Sequence, residues 1–371
     1  MIPDTYYYKV LIPNGLLKSP VECNLYGRYI SSTGIFNIIS NKKQPGLKRI
    51  GSIGDSEEKK LKGMVKEGNL SFEYRGKECA IKGYGTYQDI YSRNSGILES
   101  NLLFKKTAII IGCGSVGSQV ALELAKSGVG RFVLVDSDIL EYHNLCRHQC
   151  GMEDVGRYKV DALKDRIRNI CRDISVAVFR TSFENIPTKR LDEICNPDAI
   201  IIGCGDSRAS DKYSNMVASG YCIPFISIGF WERAVVGEVF YWLPRKNMPC
   251  YSCAIGSNTE LSERVDVNNH HIYTNETDLT KVHFEPGISV DISFVTCVGI
   301  KIALDILGKD IGYTPRVIND LTQYTLICNS NNPKLGGEGV EIFTYPLQIT
   351  RSLMVDFKPL CPGTCRWESD D

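Results

Sequence analysis

The stretch from Lys106 to Asp138, KTAIIIGCGSVGSQVALELAKSGVGRFVLVDSD, admits few folds. Ala108 to Ile111 is short, apolar and largely β-branched, as expected of a strand buried on both faces of a parallel sheet. Gly112, Gly114 and Gly117 follow in G-x-G-x-x-G spacing. The first glycine permits a tight turn, the second a close approach of backbone to phosphate, and the third close packing of the next helix on the strand. Val116, Val120 and Leu124 then recur at helical spacing, so a helix N-terminus with free N–H groups faces whatever the turn binds. Phe132 to Val135 is a second strand, with Asp136 at its carboxyl end, where an acid can hydrogen-bond a ribose. The pattern is that of a nucleotide site, and the glycines alone leave NAD, FAD and ATP open.

The residues after Asp138 bear on that choice. Asn144, Arg147 and Lys159 fall in one loop and the start of the next helix. An amide and two cations beside a phosphate turn suit a polyphosphate. Ser175 to Arg180 and Asp198 to Ile202 read as further strands, the latter ending in GCGDS. Asp206 is thereby placed on the same sheet edge as the Gly112 turn, where it would serve as a magnesium ligand opposite a triphosphate or, alternatively, as a cap for the helix starting near Arg208. Phe225 to Ile228 and Val235 to Trp242 continue the sheet, and Ser289 to Leu307 is an amphipathic helix with Cys297 expected in its core.

Two close cysteine pairs, Cys250 with Cys253 and Cys361 with Cys365, lie far apart in the chain, the pattern of a four-cysteine structural zinc site. The remaining cysteines, among 15 in all, are mostly scattered among apolar neighbours and read as small buried hydrophobes. Between the pairs, Ala254 to Pro286 is polar and irregular, and its adjacent His270 and His271 read as an exposed loop. Residues 1–97 carry no nucleotide signature and are expected to form a small α+β accessory or partner-binding domain. Strands are expected at Tyr6 to Ile12, Leu70 to Tyr74 and Cys79 to Tyr84, a loop at Asn41 to Gly54 and a helix over Glu57 to Lys66. A helix spanning Ile97 to Leu103 leads into the second domain, 98–371, which ends with a turn at Leu335 to Val340 and strands at Gln323 to Cys328 and Val340 to Ile349.

Bulk properties exclude some functions. Lys plus Arg equals Asp plus Glu, 43 against 43, so no net field draws the chain to nucleic acid or membrane. No apolar run reaches the length of a membrane span, and the N-terminus lacks the regions of a signal peptide. A cytoplasmic protein is expected.

The ordered set of GCGSVG, Asp136, N-L-x-R at Asn144 to Arg147, Lys159, a strand-end Asp206 and Cys-x-x-Cys resembles the ThiF/MoeB/ubiquitin-activating superfamily, in particular its bacterial ubiquitin-activating-like enzymes. The resemblance implies a Rossmann-like, doubly wound α/β adenylation domain, 98–371, that includes the crossover loop 254–286 and a zinc-tethered C-terminus. It implies ATP-dependent adenylation of the C-terminal carboxylate of a ubiquitin-like protein, with release of pyrophosphate. Gly112, Gly114 and Gly117 would form the nucleotide turn and Asp136 would hold the ribose. Asn144, Arg147 and Lys159 would bind phosphate, Asp206 would organise Mg2+, and Cys250, Cys253, Cys361 and Cys365 would hold Zn2+. Arg93 looks like the arginine that such enzymes supply to the partner subunit's ATP in a dimer. A conjugating-enzyme-like protein is a further implied partner.

Two departures stand out. Where many members have an arginine five residues after the strand-end acid, this chain has Asp211, with Arg208 nearby, and whether Arg208 substitutes is open. Many members also carry a catalytic cysteine in the crossover loop, and Ala254 to Pro286 contains none. Direct transfer to a partner, a cysteine elsewhere, or an oxyester on Ser257, Thr259 or Ser262 all remain open. Alternatives are a sulfur-carrier or tRNA-modifying member of the same superfamily, an NAD(P)-dependent oxidoreductase and a non-catalytic scaffold.

Overall fold

The computed structural model describes residues 7–44, 46–54, 60–85, 89–244, 246–257, 286–336, 338–350, 354–357 and 361. The chain divides into two compact units, Met1–Arg93 and Asn94–Asp371.

Among its described residues, the first unit is one mixed eight-stranded sheet with a short helix. Its elements are β1 (Lys9–Pro13), α1 (Asn14–Lys18), β2 (Cys23–Ile30), β3 (Ile35–Ser40), β4 (Lys48–Ile53), β5 (Leu61–Lys66), β6 (Asn69–Tyr74), β7 (Lys77–Glu78) and β8 (Ala80–Tyr84). They are ordered β7-β6-β5-β4-β2-β3-β1-β8. Val10, Ile12, Leu25, Phe36, Ile38 and Phe72 fill its core. The loop expected at Asn41 to Gly54 and the helix expected at Glu57 to Lys66 are both corrected: these segments supply the neighbouring parallel strands β4 and β5. The charge of LKGMVK suits a helix, yet Leu61 and Gly63 alternate inward, and packing overrides propensity. Gly51 has a backbone reason to be there, because a Cβ would lie 2.3 Å from the Leu61 carbonyl oxygen.

The second unit opens with α2 (Ser100–Leu103), shorter than the expected helix, and Ile97 is exposed. Then come β9 (Thr107–Ile111), α3 (Ser115–Ser127), β10 (Arg131–Val135), α4 (Lys159–Ile170), β11 (Ser175–Phe179), α5 (Thr188–Ile194), β12 (Ala199–Gly203), α6 (Arg208–Gly220), β13 (Phe225–Phe230) and β14 (Val236–Trp242). They are followed by α7 (Tyr251–Ser257), α8 (Ser289–Gly308), β15 (Tyr324–Cys328) and α9 (Pro333–Gly336). The sheet order is β11-β10-β9-β12-β13-β14-β15, parallel from β11 to β13 and antiparallel at its last two pairings.

β9 and β12 are buried along their whole lengths, which explains their apolar runs. Helices cover both faces. Val217 and Ala218 of α6 and Tyr251 and Ala254 of α7 pack with one face, and α8 lies against α3, β13 and β14. The chain winds from β9 outward to β11 and then returns to β12 on the other side. The order reverses between β9 and β12, where open α/β sheets hold ligands at their carboxyl edge.

The strand expected at Val340 to Ile349 is absent among the described residues. Glu338–Ile342 is a single 3-10 turn, and Ile349 makes only an isolated bridge to Ile327. Val340 and Phe343, three apart, are buried while Ile342, Tyr345 and Leu347 are exposed, so the apolar content there does not follow a strand period. The turn expected at Leu335 to Val340 is occupied by the end of α9 and the start of this 3-10 turn. Cys297 is exposed on α8, against the expectation that it is core. Among the described residues, no helix is long and apolar enough to cross a membrane.

Candidate active site

The site is built at that reversal. Gly112 follows β9 with φ +83° and donates its N–H to the Val135 carbonyl at 2.9 Å. A Cβ at Gly112 would meet the Gly205 nitrogen at 2.9 Å, so the turns after β9 and β12 abut backbone to backbone. Gly114 caps α3 and has open space where a side chain would stand. Gly117 lies beneath, where a Cβ would be 1.9 Å from the Gly112 carbonyl oxygen. The turn thus leaves α3's first amides uncovered toward a cavity of about 550 Å³.

That cavity is lined by Gly112, Gly114, Asp136, Asn144, Arg147, Lys159 and Asp206. Asp136 accepts the Cys113 N–H through Oδ2 and the Asp138 N–H through Oδ1, each at 2.7 Å. Burial pushes its carboxyl above the usual aspartate range, while the two amides and Lys159 draw it back. Lys159, buried at the head of α4, places Nζ 2.8 Å from Asp138 Oδ2. The Asp138 side chain is 62% exposed, and a pair of that kind contributes about 0–1 kcal/mol, so a phosphate oxygen can take over the ammonium at little cost. Asn144 accepts the Glu141 N–H at 2.9 Å, which closes the loop that carries Arg147. The Arg147 guanidinium faces Gly287, just before α8.

Asp206 is exposed in the turn after β12. The capping alternative is excluded, because α6 is capped by Ser207, whose Oγ accepts the Ser210 N–H. Asp211 points away from the cavity. It is buried, accepts the Ser227 hydroxyl at 2.6 Å and lies against Gly203. Arg208 is held by Glu238 of β14, and among the described residues lining the cavity it is absent. Arg93, the last residue of the first unit, is exposed on a single 3-10 turn, Ser92–Asn94.

Two residues of the cavity wall, His148 and Trp231, and one behind it, Glu238, were not foreseen. His148 is buried and lines the cavity. Trp231, just past the end of β13, forms part of the wall, and its indole N–H donates to Glu238. Glu238, 2% exposed, also accepts the Tyr324 hydroxyl at 2.6 Å. A lone carboxylate within the apolar run VVGEVFYW was the available signal for Glu238, and position at a strand's carboxyl end was the signal for Trp231.

The Sγ atoms of Cys250, Cys253 and Cys361 lie within 4.8 Å of one another. Cys250 Sγ is 3.8 Å from Cys253 Sγ and 3.3 Å from Cys361 Sγ. Three soft donors gathered in this way fit a tetrahedral zinc ion with one further ligand. Cys365 lies outside the described residues, as do Thr259, Ser262, His270, His271 and most of the crossover stretch; of Ser257 only the backbone is described.

Fold and site together define a doubly wound α/β protein with a cavity at the reversal of its sheet, lined by a glycine turn, acids and cations. Residues 92–335 match the ThiF family, and the chain belongs to it. Its sequence is 34% identical over 173 residues to the ATP-dependent ubiquitin transferase-like protein Cap2 of Enterobacter hormaechei subsp. hoffmannii, covering 47% of this chain and 28% of that one. It is 28% identical over 157 residues to ubiquitin-like modifier-activating enzyme 5 of Caenorhabditis elegans, covering 40% and 37%. It is 28% identical over 162 residues to the sulfur carrier protein ThiS adenylyltransferase of Escherichia coli, covering 43% and 61%. The matches span less than two thirds of each of these relatives. The crystal structure of E. coli MccB with ATP shares the fold, with a TM-score of 0.53 and 20% identity over 74% of each chain.

Proposed function

We propose that this protein is an adenylyltransferase that activates the C-terminal carboxylate of a ubiquitin-like protein with ATP. The observation that carries the reading is the convergence of Gly114, Asp136, Asn144, Arg147, Lys159 and Asp206 on one cavity at the sheet's reversal point. Similarity to activating enzymes and to an adenylyltransferase supports the same chemistry.

In this reading a carboxylate oxygen of the acceptor attacks the α-phosphorus of ATP. The bond from that phosphorus to the bridging oxygen breaks, and pyrophosphate leaves with the electron pair. A carboxylate is already ionised at neutral pH, so no general base is needed. The chain's residues orient the reactants and neutralise charge. Asp136 receives the ribose hydroxyls, and the Gly114 turn and α3 N-terminus cradle phosphate. Lys159, Arg147 and Asn144 hold the phosphate oxygens.

Asp206 is an exposed, hard oxygen donor on the cavity wall, and it would hold a magnesium ion. Such an ion supplies further charge neutralisation on the phosphate oxygens. The cysteine thiols would hold a structural zinc that ties the C-terminus to the start of α7. In a homodimer, Arg93 would reach the nucleotide of the second copy, and the first unit would recruit the modifier or a conjugating-enzyme-like partner.

The test is exchange of labelled pyrophosphate into ATP. Exchange is expected only when a small protein ending in glycine, encoded beside this one, is present. A ThiS-like sulfur carrier as the sole active acceptor would turn the assignment to sulfur transfer. No exchange with either protein would overturn the reading.

A further inference from the structure

His148 occupies a place that the chemistry above does not use. Its ring is buried against the nucleotide turn, with Nε2 2.8 Å from the Cys113 carbonyl oxygen. On its other side Nδ1 accepts the Cys150 N–H at 3.0 Å. A nitrogen that accepts an amide proton carries none itself, so the neutral ring has its proton on Nε2 and donates it to Cys113. The other end of Cys113 is fixed as well, because its N–H is taken by Asp136 at 2.7 Å. Both backbone groups of this residue, set between two glycines, are therefore held by side chains.

The peptide joining Cys113 to Gly114 is trans, and in a trans peptide the C=O and the N–H point in opposite directions. Holding the Cys113 carbonyl on the imidazole turns the Gly114 N–H away from it. Glycine at 114 has no Cβ to resist rotation of this plane. A flip would present a carbonyl oxygen in place of an N–H, reversing the sign of the dipole offered to an anion.

We infer that His148 is the positioning residue of the phosphate cradle: by holding the Cys113 carbonyl it aims the Gly114 amide at the nucleotide's phosphate. The inference rests on the nucleotide reading of the cavity. The same ring also sets the Arg147 loop in register with the glycine turn, since His148 and Cys150 belong to that loop.

The experiment compares ATP with adenosine, which lacks phosphate, by calorimetry on wild type, H148M and H148Q. Methionine fills the space without a donor, and glutamine keeps an N–H that reaches the carbonyl. H148M should weaken ATP by about tenfold or more, the loss of a hydrogen bond to a charged group, and leave adenosine unchanged. H148Q should recover most of the ATP affinity. Equal weakening of ATP and adenosine, or unchanged ATP binding in H148M, overturns the inference. A wild type that binds no ATP removes the underlying site reading as well, which distinguishes the two failures. Should H148M not fold, hydrogen exchange at the Gly114 amide of the wild type decides: slowing on addition of ATP supports the inference, and no change overturns it.

Discussion

The Arg208 guanidinium lies 3.3 Å from the Glu238 carboxylate, which is 2% exposed and also accepts the Trp231 indole N–H and the Tyr324 hydroxyl. One buried acid thus ties the first residue of α6 to the cavity wall and to β15. Breaking a buried pair from one side strands the other charge. Glu238→Ala should destabilise the protein by about 3 kcal/mol or more, read as a lower urea midpoint. Glu238→Gln, which keeps an acceptor for Tyr324 and Trp231, should cost clearly less. Equal losses in the two variants would remove the charge from this account.

Asp206 should matter to chemistry and little to folding, because its exposed side chain caps nothing. Asp206→Ala is expected to reduce pyrophosphate exchange by about 10²-fold, by analogy with loss of one charge-stabilising group. The thermal midpoint and binding of the acceptor protein should be unchanged. Undiminished exchange would take Asp206 out of the mechanism.

The cysteine cluster predicts one zinc per chain by elemental analysis of purified protein. Replacing Cys250 and Cys253 together by serine should abolish the metal and lower the thermal midpoint. Chelation of the wild type should lower it in the same way. A metal-free wild type with an unchanged midpoint would dismiss the zinc reading.

Acidification should reveal His148. Burial lowers the pKa of its imidazole; nearby Lys159 pushes the same way, while Asp154 and the bond to Cys113 oppose the shift. The unfolded chain therefore takes up this proton more readily than the folded one. The resulting stability is fully present above the unfolded value of about 6.5 and is lost as pH falls below it. The thermal midpoint should decline over that interval, and H148Q should flatten the decline. An identical slope in H148Q would assign the titration to other groups.

Gly117 offers a steric test. A Cβ there would stand 1.9 Å from the Gly112 carbonyl oxygen, with backbone that cannot swing aside. Gly117→Ala should cost about 1–3 kcal/mol or more in urea denaturation and weaken ATP binding with it. Gly114→Ala meets no atom within 4 Å and should keep the fold, so stability separates the two glycines.

What could be read from the sequence follows burial. β9 and β12 are enclosed on both faces, so their composition alone marks them, and the glycine turn and Asp136 mark the carboxyl edge by spacing. Asn144, Arg147, Lys159 and Asp206 were expected at one edge of the sheet from their places after its strands, and they line one cavity there. β4 and β5 were not legible, since their polar and glycine-containing faces mimic loop and helix, and only their pairing to neighbouring strands shows them as sheet. His148, Trp231 and Glu238 act through bonds that cross between elements: His148 to Cys113, and Trp231 and Tyr324 to Glu238. Only the folded arrangement displays such bonds.

Gly112 and Gly205 leave no side chain between the turn after β9 and the turn after β12 that carries Asp206. With backbone against backbone, a bulkier residue at Gly112 would have to displace the turn after β12. The glycine side of the cavity therefore has little room for larger side chains. Elsewhere on its wall, in the hairpin between β13 and β14, Trp231 and Ala234 line the cavity and Arg233 and Ala234 both adopt left-handed backbone.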